Sequence, residues 1–263
     1  MMSDPQGLRF SPEGLSKDGF LGGRITVLQP RKGYRAGVDP VLLAAAANAR
    51  NGQRVLELGC GAGQAMLCLG ARVEGLSLTG VELQPPYADL ARQNAAENSL
   101  DATVWTADLA NLPAELRKQS FDHVIANPPY YRAGAHSPAQ DAGRRTALGE
   151  GTPLEMWIDI AARRLAPKGY LHMIQRADRL PDMVAAAATR LGSVEVMPLA
   201  PRTGRAAELV ILRARKGGRA AFRLHAPLVL HQGERHSSDH ADDYSDAVRA
   251  VLRDGAALPW PQV

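Results

Sequence analysis

At 263 residues, with 45% hydrophobic and 22% charged side chains, the chain has the make-up of an ordinary soluble globular protein with room for one large core or two small ones. Its longest apolar runs, such as Val41–Ala47 and Met183–Ala188, are far too short for a bilayer, and two cysteines, Cys60 and Cys68, imply no disulfide framework; a reducing cytoplasm is the expected location. The net charge of +4 is compatible with nucleic acid but not diagnostic, and Met1–Gln6 lacks the basic-then-apolar pattern of a signal peptide.

Residues 1 to about 20, rich in Gly, Pro, Ser and charge, read as a loose lead-in. Ile25–Gln29 reads as a short strand ended by Pro30, and Arg31–Val38 as a glycine-punctuated basic loop with one aromatic, Tyr34. Asp39-Pro40 is a good helix start, with a carboxylate at the N-cap and proline behind it; the alanine-rich helix Val41–Arg50 follows and Asn51-Gly52 stops it.

From Arg54 short apolar runs alternate with amphipathic segments, the pattern of a parallel α/β sheet. Strands are expected at Arg54–Leu58, Leu78–Glu82, Thr103–Ala107, Phe121–Ala126 and Gly169–Ile174. Helices fall between them at Gln64–Leu69, Pro86–Asn98 and Thr152–Leu165, with another at Met183–Leu191. Ser193–Pro198 and Glu208–Arg213 then read as an antiparallel hairpin closing a doubly wound, mostly parallel sheet of seven strands. The expected division is an N-terminal extension over 1–50, a core over 51–224 and a tail over 225–263 ending in a short helix, Tyr244–Leu252.

Gly59-Cys60-Gly61-Ala62-Gly63 sits at the first strand-to-helix turn, where glycines let backbone approach a ligand and helix N–H groups point at it. A dinucleotide fingerprint would need glycine where Gln64 stands. Glu82 ends the second strand, where a carboxylate accepts both hydroxyls of an adenosine ribose. Asp108 follows the third, where a carboxylate accepts from the exocyclic amine of adenine. Glu57, just ahead of the glycines, would face the amino end of the same ligand. Cys60 reads as a small residue that fits the turn, and Trp105 and Trp157 as packing residues.

This series resembles the class I S-adenosylmethionine-dependent methyltransferases, a Rossmann-like α/β fold, over roughly residues 50 to 215. The resemblance implies S-adenosylmethionine as cofactor, with Gly59, Gly61 and Gly63 along its methionine moiety, Glu82 with Leu83 at the ribose, and Asp108 with Leu109 at the adenine. The loop after the fourth strand, Asn127-Pro128-Pro129-Tyr130, resembles the motif of enzymes that methylate a nitrogen conjugated to a π system. Two prolines give a stiff exit without N–H groups. The Asn127 side chain and the Pro128 carbonyl offer two acceptors for an –NH2 group, and Tyr130 a stacking surface. Such acceptors would pyramidalise a delocalised nitrogen and aim its lone pair at the sulfonium.

The Gly33-Tyr34-Arg35 loop, the Asp39–Ala44 helix start and Asn127–Tyr131 together resemble bacterial adenine-N6 methyltransferases that modify the tRNA base beside the anticodon. That implies tRNA as partner, no metal or membrane, a monomer or weak dimer, and acceptor-binding roles for Arg35, Pro129 and Tyr131. Arg144-Arg145-Thr146-Ala147 agrees only in part with that family's basic stretch. The run Arg202, Arg205, Arg213, Arg215, Lys216, Arg219 and Arg223, opposed only by Glu208, reads either as a phosphate-binding surface or as a solvated hairpin. A glutamine N5- or small-molecule N-methyltransferase, or a non-catalytic RNA-binding module of the same fold, are the alternatives. His225, His231, His236 and His240 lie among acids in what reads as a surface loop rather than a metal site.

Overall fold

The computed structural model describes residues 10–130, 152–233, 243–258 and 260–261. Tyr131, the Arg144–Ala147 stretch, His236 and His240 lie outside the described residues. The chain opens with an antiparallel hairpin of β1 (Leu15–Phe20) and β2 (Ile25–Pro30), pairing Leu15 opposite Pro30 and Phe20 opposite Ile25. The last six residues of the expected lead-in therefore form a strand. Its side chains Ser16, Lys17 and Asp18 are polar and none of its residues is fully buried, so no apolar alternation announced it. Helix α1 (Asp39–Ala46) follows and stops four residues short of Arg50, because Ala47 turns to extended backbone.

The core is built from β3 (Arg54–Leu58), α2 (Gln64–Arg72), β4 (Ser77–Glu82), α3 (Pro85–Glu97), β5 (Ala102–Thr106), the single turn α4 (Ala114–Arg117), β6 (Phe121–Ala126), α5 (Leu154–Arg164), β7 (Leu165–Arg176), α6 (Leu180–Arg190), β8 (Gly192–Ala200) and β9 (Leu209–Arg215). The strand order is β5-β4-β3-β6-β7-β9-β8, with β9 antiparallel to both neighbours and the others parallel. Two short strands, β10 (Arg223–Leu224) and β11 (Leu228–Val229), extend the edge at β8 to give nine. Helix α7 (Asp246–Asp254) ends on a left-handed Gly255 and packs against α1.

Parallel strands covered on both faces carry continuous apolar runs, because neighbouring residues point to opposite layers. Val55, Ile125, Ile174, Met197 and Ile211 enter the layer with α1, α2, α3 and α7. Their neighbours Leu56, Val124, Met173, Val196 and Leu212 enter the layer with α5 and α6. The chain winds outward from β3 to β5, then restarts at β6 on the other side of β3. That reversal opens a crevice beyond the carboxyl ends of β3, β4 and β6.

The hairpin is fastened beside this crevice by two asparagines one turn apart on α3. Asn98 exchanges hydrogen bonds with the Thr26 backbone (2.9 and 2.7 Å) and Asn94 with Leu28 (2.8 and 3.1 Å), while Asn94 also donates to the Ala62 carbonyl in the glycine turn (2.9 Å). Among the described residues no helix is long and apolar enough to cross a membrane.

Candidate active site

A cavity of about 340 Å³ fills the crevice, and its floor is the glycine turn between β3 and α2. Gly59, Gly61 and Gly63 all have positive φ (64°, 54° and 92°). At Gly59 the requirement is double: a Cβ there would lie 2.5 Å from the Trp157 ring, which leans over the turn from α5. Trp157 is thus a wall of the cavity as well as a packing residue. Nothing in the sequence around it signalled this, because its partner lies almost a hundred residues away.

Two buried carboxylates face the cavity. Glu57 accepts from the Met66 N–H at 2.9 Å in the first turn of α2. Burial pushes its pKa up to about 8, aided by the charge of Glu82 and opposed by the Met66 N–H. No ion pair reaches Glu57 among the described residues. Glu82 accepts from the Gly61 N–H (2.9 Å) and the Gln84 N–H (2.8 Å), and burial raises its pKa too. The nearby Arg35 does not neutralise them: its guanidinium is taken by Asp18 (2.9 Å) and Ser16 (2.7 Å) on β1. The cavity floor is therefore acidic and short of cations, which suits a ligand bringing positive charge.

Across the cavity, β6 leaves the sheet at Asn127. Asn127 Nδ2 donates to Tyr34 Oη at 3.5 Å, and among the described residues no donor is bonded to its amide oxygen. Tyr34 is held from behind by Tyr87, whose hydroxyl accepts from the Tyr34 N–H at 3.0 Å. The Gln175 side chain donates to the Pro128 (3.2 Å) and Pro129 (3.4 Å) carbonyls. Tyr130 donates to Asp39 Oδ2 at 2.7 Å. Asp39 was expected to cap α1 but makes no capping bond; its carboxylate anchors the Tyr130 ring instead. Burial, then the Asp39 charge, raises both tyrosine pKa values, so both hydroxyls stay protonated.

Of the residues singled out from the sequence, Glu57, Gly59, Gly61, Glu82, Leu83, Leu109, Arg35, Asn127, Pro128, Pro129 and Tyr130 line this one cavity. Gly63 does not; it starts α2, and a Cβ there would meet Met66 and Leu67. Asp108 is exposed and its carboxylate caps the turn at the Ala110 N–H (2.8 Å) rather than lining the cavity. Sequence reasoning missed Tyr34, Tyr87, Asp39, Gln64, Trp157 and Gln175 as parts of the site. Gln64 donates to Gln29 at 2.9 Å and ties the site to β2.

Elsewhere the basic run is less free than it reads. Arg213 pairs with Glu195 (2.7 Å) and stacks over Trp260, Lys216 donates to the Leu165 carbonyl (2.7 Å), and Arg202 binds Asp243. Glu195 and Asp243, distant in sequence, supply the opposing charge. His225 and His231 bond these same acids, at 2.9 and 2.7 Å, and among the described residues no group of His, Cys, Asp and Glu is arranged to hold a metal.

A Rossmann-like sheet with a glycine turn, a buried acid before it and an Asn-Pro-Pro-Tyr exit at the switch point defines a class I methyltransferase. The profile of the methyltransferase small domain matches residues 37–197, and the chain belongs to that family. A curated relative from Porphyromonas gingivalis, named tRNA1(Val) (adenine(37)-N6)-methyltransferase, is 34% identical over 66% of this chain and 74% of its own length. One of the same name from Actinobacillus succinogenes is 30% identical over 74% and 82%. Among solved structures, an Agrobacterium tumefaciens protein described as a predicted O-methyltransferase is 28% identical, with a TM-score of 0.67 over 84% of this chain and 98% of its own. The T. thermophilus 16S rRNA N2 G1207 methyltransferase shares the fold at 21% identity, with a TM-score of 0.57 over 77% and 50%.

Proposed function

We propose that the protein is a cytoplasmic enzyme, monomeric or weakly dimeric, that methylates N6 of an adenine in tRNA with S-adenosylmethionine as donor. On this reading residues 51–224 carry the transferase core, with 1–50 and 225–263 as additions to it. The observation that carries the proposal is that Asn127, whose amide oxygen has no donor among the described residues, and the Pro128 carbonyl line the same cavity as a buried acid, Glu57, with no ion pair among those residues. The same two acceptors would also fit a glutamine side chain, and it is the relatives bearing one name that favour adenine.

The residues present suit the cofactor. Glu57 is an acid whose burial would be relieved by an ammonium group, and Glu82 has oxygens toward the cavity for a pair of hydroxyls. Gly59 and Gly61 keep the floor clear of side chains, Gly63 starts the helix behind them, and Leu83 and Leu109 are apolar surfaces for an adenine. Asp108 would have to reach the adenine amine from the rim. When bound, S-adenosylmethionine supplies an electrophilic methyl group on a sulfonium.

The protein's own part is to hold the acceptor. The Asn127 amide oxygen and the Pro128 carbonyl accept the two N–H bonds of the target amine, draw it towards a pyramidal shape and turn its lone pair to the donor side. Such pre-organised acceptors stabilise the positive charge that develops on nitrogen. Asn127 is neutral, so no strong base removes the proton beforehand; the proton becomes acidic as the methyl arrives. Stacking against Tyr130 contributes about 1–3 kcal/mol, comparable to the few kcal/mol that extruding a base costs. The Asp39 bond keeps that ring from swinging away. Pro129 would continue the same wall, while Arg35, already paired with Asp18, would meet the RNA only at the rim.

The test is incubation with total tRNA and methyl-labelled cofactor, followed by digestion to nucleosides. Label in N6-methyladenosine is expected. Label in protein with none in RNA would overturn the adenine reading in favour of a glutamine acceptor.

A further inference from the structure

The last position at which β7 pairs with β6 is Met173 opposite Ala126. Two residues on, β7 continues along β9 with Gln175 opposite Val210, but its other neighbour has left the sheet as Asn127-Pro128-Pro129. Two consecutive prolines bring carbonyls and no N–H groups, so the loop cannot close a ladder of its own. The fully buried Gln175 side chain takes over that function. Its Nε2 donates to the Pro128 carbonyl at 3.2 Å and to the Pro129 carbonyl at 3.4 Å. Its Oε1 accepts from the Arg176 N–H at 2.9 Å. That last bond settles which end of the amide meets the loop, because only the –NH2 end can donate to carbonyls while the oxygen is held by an N–H.

We infer that Gln175 is a positioning residue for methyl transfer: it aims the Pro128 carbonyl and thereby the acceptor amine that this carbonyl orients. The inference rests on the acceptor role proposed for Pro128. A carbonyl oxygen has two lone pairs, so the bond from Gln175 leaves one for the incoming amine. Gln175 does not line the cavity, which separates its role from binding.

Gln175→Glu keeps the shape and the oxygen facing Arg176 but sets a second oxygen against two carbonyl oxygens. Gln175→Met fills similar volume with no donor. In steady-state assays on tRNA, both variants are expected to lose at least about tenfold in kcat, since small misplacements of reacting groups cost up to about 100-fold. The KM for tRNA and the Kd for S-adenosylmethionine are expected to stay within about threefold, a split that a general loosening of the fold would not produce. Either variant alone suffices if the other fails to fold. A folded variant that turns over at the wild-type rate would overturn the inference, as would a loss of cofactor affinity equal to the loss in kcat. The wild-type enzyme run in parallel separates the two levels. If it labels no adenine, the acceptor reading fails and this inference with it; if it labels adenine and both variants match it, only this inference fails.

Discussion

Glu57 is an acid almost wholly buried at the floor of the cavity, and its chemistry follows from that position. Its ordinary pKa of 4.5 is pushed to about 8 by burial, so between those values the folded protein holds a proton that the unfolded chain has released. The sign is fixed: this group favours folding below pH 4.5, its contribution is lost progressively as pH rises towards about 8, and no further change follows above that. Gln in its place keeps an oxygen for the Met66 N–H and carries no charge. We therefore expect Glu57→Gln to match the wild type in Tm near pH 4.5, to become increasingly more stable relative to it up to about pH 8, and to hold a constant lead beyond. Thermal melts of both proteins across that range test it, and parallel curves would contradict the assigned pKa. The same substitution should weaken S-adenosylmethionine binding at least about tenfold, because a charged hydrogen bond contributes about 1.5–3 kcal/mol. Glu57 stood out in the sequence because it precedes the glycines directly.

The turn between β3 and α2 and the exit from β6 were legible as elements for one reason: strands buried on both faces end where glycines or prolines interrupt apolar runs. What closes over them was not legible. Trp157, Gln175 and the Asp39–Tyr130 bond join positions from 46 to 98 residues apart, as their numbering shows, and no local pattern encodes such meetings. Polar β1 escaped notice because none of its residues is fully buried, so nothing imposes an apolar alternation on it. The contact between the turn and α5 makes its own prediction. Gly59→Ala puts a Cβ 2.5 Å from the Trp157 ring and also forces alanine to a φ of 64°. The backbone cost is about 1–2 kcal/mol and overpacking adds about 1–3 kcal/mol. Urea denaturation should show a loss in that combined range. Made in a Trp157→Leu background, the same Gly59→Ala change should cost only the backbone part. Additive losses in the double variant would mean that the ring and the turn do not press on one another.

Across the whole molecule, the half of the sheet proposed to hold the methyl donor and the half proposed to hold the acceptor meet at one cavity. The glycine turn, Glu57 and Glu82 stand on β3 and β4, on one side of the switch point; the Asn-Pro-Pro-Tyr exit stands on β6, on the other. The hairpin and α1 join them. Tyr34 touches Asn127 on one side and approaches Gly61 on the other, and Asp39 anchors Tyr130. The region ahead of β3 is thus part of the site, although from the sequence it read largely as loop. This division of labour is the central proposal: that β3 and β4 bind the methyl donor, and that Asn127 governs only what happens to the methyl. Asn127→Ala tests it most directly, with cofactor affinity from calorimetry and single-turnover transfer to tRNA measured on the same preparation. The account predicts a Kd for S-adenosylmethionine within about tenfold of wild type and transfer slower by at least about 100-fold, the scale seen when one pre-organised hydrogen-bonding group is removed. Transfer at the wild-type rate by the Asn127→Ala protein would contradict it.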